Sequence, residues 1–133
     1  MPNISEVFIV DVAKLFHHRK TKHCVCVSAG DDKFLVINSE HREMYDDFKI
    51  EVSNYSFLEK DRFVACRMAY EVKDESLIKK VGNLNYEDMT KILNKIQNSK
   101  LIEETERDSI AFELEGWLKY YTENKLKNKF GKK

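Results

Sequence analysis

The run "LFHHRKTKHCVCVS", residues 15–28, gathers His17, His18, Arg19, Lys20, Lys22 and His23 just before the chain turns apolar. Imidazoles with an ordinary pKa near ~6.5 exchange protons at cellular pH, and guanidinium and ammonium groups neutralise phosphate. These residue types together suit the binding or cutting of a polyanion such as a phosphodiester chain. On that chemistry His18, with His17 as its substitute, serves as general base or acid, while Arg19 and Lys22 stabilise the phosphorane. Lys20 and His23 extend the anion-binding surface. Arg67 interrupts an apolar strand and either reaches the same groove or faces outward. The plainer alternative for the whole run is a solvated basic loop leading into a strand.

Other residues offer weaker chemistry. Cys24 and Cys26 share one strand face, and Cys66 could approach them, so a zinc site with His23 or His41 is conceivable. The spacing lacks Cys-x-x-Cys, and free cysteine commonly behaves as a small buried hydrophobe, so no metal or cofactor is expected. Three cysteines in apolar segments fit free thiols of a reducing cytoplasm better than a disulfide framework. Tyr45, Tyr55, Phe57 and Phe63 could stack on bases, although core packing accounts for most of them.

The elements that must position these groups follow from periodicity. With 133 residues, 42% hydrophobic and 35% charged, the chain suits one soluble domain with a single core. No apolar run approaches the roughly 20 residues of a membrane span, and "MPNISEV" lacks the regions of a signal peptide. Net charge is zero, so nothing global points to nucleic acid. Locally, residues 14–23 hold four Lys/Arg, three His and no acid, a patch whose field acts over a Debye length of about 8 Å. Acids concentrate at residues 40–51 and 103–115, and the tail "KLKNKFGKK" is basic.

The first half reads as strands: "VFIVDV", then "HCVCVS" and "KFLVINS" about an "AGDD" turn, the alternating "FKIEVS", and a long fifth strand "DRFVACRMAYEV". The second half changes period. A short helix is expected in "KDESLIKKVG", from Asp74 as N-cap to Gly82 as terminator. Asn85 caps a second helix with Met89, Ile92, Leu93 and Ile96 in one stripe, and a third spans roughly residues 103–127 despite Gly116. The expectation is an α+β protein, a small five-stranded antiparallel barrel followed by C-terminal helices. Residues 1–100 would form the barrel domain with its short helices, and residues 101–133 a helical extension with a basic tail.

Residues 55–96, "YSFLEKDRFVACRMAYEVKDESLIKKVGNLNYEDMTKILNKI", resemble the C-terminal half of the PemK/MazF toxins. Asp61, Phe63, Val64, Leu77, Ile78, Lys80, Leu84, Glu87, Met89 and Ile96 fall on that pattern without gaps. "SEVFIVDV" is similar to the family's opening strand, and "KHCVCVS" with "FLVINS" takes the place of its second and third strands. The resemblance covers about 100 residues and implies an SH3-like barrel, a homodimer, and RNA cleavage without a metal, opposed by an antitoxin peptide. In that chemistry the 2'-OH is the nucleophile and a 2',3'-cyclic phosphate is left. Lys22-His23 stands where the family has Arg-Pro, and Ser39 matches the hydroxyl closing the third strand, there to position the phosphate. Tyr70-Glu71-Val72-Lys73 replaces an Arg-Thr-aliphatic-Asp signature, and "AKLFHHRKTK" replaces a Gly-rich loop. The expected function is therefore a cytoplasmic endoribonuclease toxin. The alternative is a non-catalytic module that keeps the barrel and binds an antitoxin or another protein partner; the lost Arg-Thr pair favours it.

Overall fold

The computed structural model describes residues 2–13 and 20–131, with side chains described through residue 124. Alternating residues on either side of "AGDD" form a hairpin of β2 (Thr21–Ser28) and β3 (Lys33–Asn38). Asp32 takes the left-handed turn position at φ 54°, a role its short polar side chain tolerates, whereas Gly30 keeps an ordinary backbone. β1 (Glu6–Asp11) lies against β2 and also pairs with β7 (Leu77–Asn83). β4 (Asp47–Ile50) pairs with β5 (Arg62–Ala65), and β5 with β3. β6 (Tyr70–Glu71) also pairs with β3.

The result is an α+β fold with one antiparallel sheet in the order β4-β5-β3-β2-β1-β7, followed by two helices. Seven strands stand where five were expected, and among the described residues no ladder joins β4 to β7. Three readings of the sequence are corrected. The strand "FKIEVS" ends at Ile50, and a 3-10 turn (Val52–Asn54) follows. The long fifth strand is broken in two on the same edge of β3. Between the pairs Ile37–Val64 and Phe34–Tyr70, two residues of β3 face five on the other side. The extra backbone turns outward there, and the N–H groups of Cys66 and Arg67 both donate to the Tyr45 carbonyl.

The helix expected from Asp74 to Gly82 is instead a 3-10 turn (Asp74–Ser76) running into β7. Edge pairing with β1 decides it, since β1 would otherwise expose a full row of unpaired backbone groups. Gly82 ends no helix; it makes room for the Phe57 ring, whose Cδ2 would lie 2.7 Å from a Cβ at this position.

The central hairpin is buried on both faces. Val25, Val27, Leu35 and Ile37 face a large cluster shared with both helices, while Cys24, Cys26, Phe34 and Val36 face a smaller one with Val10, Val12 and Val72. α1 (Tyr86–Gln97) begins at Asn85, whose side chain accepts the Asp88 N–H at 2.8 Å, and buries Met89, Ile92, Leu93 and Ile96 as expected. α2 (Glu104–Gly131) is preceded by Glu103, whose carboxylate accepts the N–H groups of Thr105 and Glu106. Ile110, Leu114 and Leu118 of α2 join the large cluster. Glu113 clasps the hairpin turn by accepting the buried Ser28 hydroxyl and the Gly30 N–H. Among the described residues no helix is long and apolar enough to cross a membrane.

Candidate functional site

Asp11 and Thr21, the last residue of β1 and the first of β2, are cross-strand partners. The segment between them therefore leaves and rejoins the sheet at one end. His17, His18 and Arg19 lie outside the described residues. Lys20 is exposed at this end, and Lys22 and His23 open β2 beside the close of β3, where Ser39 sits half-buried in a bend.

Alternation along β2 sends Lys22 and His23 to opposite faces. Lys22 shares the face of Cys24 and the smaller cluster, and its Nζ donates to the Asn38 amide oxygen across the strand. His23 shares the face of Val25 and the helices, and its ring stacks on Phe57 with centroids 6.2 Å apart and planes 21° from parallel. Burial, with the added charge of Arg62, holds the His23 imidazole below the ordinary histidine value. It is neutral at pH 7 and able to accept a proton. Arg62 carries a buried Nε with no hydrogen-bond partner among the described residues. Arg67 stands elsewhere: it is exposed past the other end of β5, where its Nη1 lies 3.5 Å from the Met44 carbonyl oxygen. The structure thus gathers Lys20, Lys22, His23 and Ser39 at one end of the sheet, divides Lys22 from His23 by face, and sets Arg67 apart.

The sequence reading passed over the rest of the Lys22 face. Asn38 is the cross-strand partner of Phe63, and Phe63 of Lys49, so Lys22, Asn38, Phe63 and Lys49 form one row across three ladders. Against Phe63 lies His41, its ring centroid 5.7 Å away and tilted by 46°. Its Nδ1 is 2.5 Å from Asp47 Oδ1; the His41 side chain is 55% exposed and that of Asp47 is fully buried. The other Asp47 oxygen accepts the Arg42 N–H at 3.0 Å. No periodicity links these two residues. Only the loop that returns the chain from β3 to β4 brings them together.

Elsewhere, Cys24 and Cys26 share one face as expected, but Cys66 belongs to the opposite cluster. Burial pushes all three thiols up to about 12, so each is protonated at neutral pH. Among the described residues no three His, Cys, Asp or Glu side chains are grouped to hold a metal ion. Of the aromatic residues considered for base stacking, Tyr55 is buried, with its hydroxyl donating to Asp88 at 2.5 Å; Phe57 packs between His23 and Gly82. At the opposite end of β1 a cleft of about 470 Å³ is lined by Asn3, Ser5, Asn83, Asn85, Trp117 and Tyr121. Tyr121 stacks on both Trp117 and Tyr86 at 5.4 Å.

In comparison with known proteins, the chain matches no family model and no curated protein sequence significantly.

Proposed function

We infer that this protein is a metal-independent endoribonuclease of the PemK/MazF-like kind, a cytoplasmic toxin that works as a homodimer and is held in check by an antitoxin. One observation supports the reading above the others: Asp11 and Thr21, which flank the basic run, pair at the sheet end that also carries Lys22, His23, Ser39 and Arg62. The reading takes the sheet, buried on both faces at its central hairpin, as a curled SH3-like barrel. RNA phosphate sits against Lys22 and Arg19, with Lys20 and His23 holding the flanking strand and Ser39 positioning the phosphate. His18, or His17 in its place, takes the proton of the 2'-OH. The 2'-oxygen attacks phosphorus, the bond to the 5'-oxygen breaks, and that oxygen leaves with a proton from a second group. The products are a 2',3'-cyclic phosphate and a 5'-hydroxyl.

Inducible expression tests this. The unmutated protein arrests growth and yields RNA fragments with cyclic-phosphate ends, whereas His17→Ala/His18→Ala does neither. Normal growth with intact RNA under induction of the unmutated protein contradicts the reading.

A non-catalytic binding module is the second reading. The observation favouring it is that Lys22 and His23 point to opposite faces, so the two cannot grip the same phosphate from β2.

A further inference from the structure

We propose that His41, oriented by Asp47, is a proton-transferring catalytic residue of this site, acting as the acid that protonates the departing 5'-oxygen. The proposal rests on the ribonuclease reading above. Transesterification of RNA moves two protons, one off the 2'-OH and one onto the 5'-oxygen, so it needs two groups. Lys22 is a described cation with no described imidazole beside it on β2, because His23 lies on the other face. His41 fills that gap on Lys22's own face. Its ring rests on Phe63, whose cross-strand partner Asn38 accepts from Lys22.

The geometry is that of an oriented imidazole. A fully buried carboxylate 2.5 Å from Nδ1 fixes the ring and its tautomer, leaving Nε2 as the working nitrogen of a side chain more than half exposed. The support is rigid. Asp47 is held by the Arg42 N–H and by its place at the head of β4, opposite Ala65. The adjoining Asp46, in a left-handed conformation, is anchored by Lys95 of α1 at 2.9 Å. A buried carboxylate is costly unless its partners repay it, and here one of those partners is a solvent-facing imidazole. In the proposed step protonated His41 gives its Nε2 proton to the 5'-oxygen as the P–O5' bond breaks, and the general base of the ribonuclease reading gains the 2'-OH proton. Exchange with water restores both groups.

The test compares two substrates: an ordinary oligoribonucleotide, and the same oligonucleotide with sulfur bridging phosphorus and the 5'-carbon at the cleaved linkage. A thiolate leaves without protonation, so loss of the acid is felt only by the oxygen substrate. His41→Gln keeps a hydrogen-bonding group for Asp47 and cannot cycle a proton. It should slow cleavage of ordinary RNA by about 100-fold or more while slowing the sulfur substrate less than about 10-fold. Asp47→Asn, which disturbs positioning alone, should show the same bias to a smaller degree, with RNA affinity retained in both variants. Equal slowing of the two substrates, or ordinary RNA cleaved at the wild-type rate by His41→Gln, overturns the assignment while leaving the ribonuclease reading in place. If the unmutated protein cleaves neither substrate, both fall.

Discussion

Lys22 and His23 are neighbours in sequence and strangers in space, which gives them separable signatures. Lys22 lies on the Asn38 face, and the proposed ribonuclease reading gives it one phosphate contact. Replacing it with alanine should weaken RNA binding uniformly across sequences and reduce the slope of log affinity against log salt by about 1, as read by fluorescence anisotropy over a salt series. An unchanged slope would remove Lys22 from the interface. His23 reports on folding. Its burial and the nearby Arg62 charge lower its affinity for a proton in the folded state. As pH falls below the ordinary value of about 6.5, the unfolded chain takes up a proton that the native His23 resists, and stability drops until the lowered native value is passed. The difference in stability between the wild type and His23→Gln, measured by urea unfolding at pH 7.5 and pH 5, should therefore move against the wild type at the lower pH. A difference that does not change with pH would contradict the stacked, half-buried placement.

At the scale of elements, the pieces legible in the sequence were those whose local pattern and tertiary surroundings agree. "AGDD" between two alternating runs became the β2–β3 hairpin, and Asn85 with the Met89–Ile96 stripe became α1. Misreadings arose where pairing overrode the local pattern. "SLIKKVG" spaces Leu77, Ile78 and Val81 as a helix would, yet the open edge of β1 drew it into β7, leaving only Asp74–Ser76 helical. Residues 66–69 are as strand-prone as their neighbours, and only the Tyr45 carbonyl that captures two of their N–H groups reveals the break. The concentration of acids at residues 103–115 was legible, but Glu113 among them has a specific task at the hairpin turn. Glu113→Ala leaves the fully buried Ser28 hydroxyl without its acceptor and frees the Gly30 N–H. It should lower unfolding stability by about 1–3 kcal/mol in urea titration. A change within experimental scatter would mean that α2 docks through its apolar stripe alone.

For the molecule as a whole, the general class was readable and the site only in part. An α+β chain with an antiparallel sheet and C-terminal helices follows from strand-like runs giving way to the α1 stripe after Asn85, whereas the meeting of His41 with Asp47 depends on the β3–β4 loop and the row Lys22–Asn38–Phe63–Lys49 on strand order. Sequence proximity marked the basic run; only topology shows that its flanking residues Asp11 and Thr21 pair at the end of the sheet where β3 closes and β5 begins. The central claim is that this end of the sheet cleaves RNA through its own 2'-hydroxyl. Purified protein incubated with end-labelled RNA in the presence of a chelator tests it most directly, alongside the same RNA carrying a 2'-deoxy substitution at the cleaved nucleotide. The account predicts fragments ending in 2',3'-cyclic phosphate with 5'-hydroxyl partners, and no cut at the substituted position. Uncut RNA, or fragments with 3'-hydroxyl ends that survive the deoxy substitution, would contradict it.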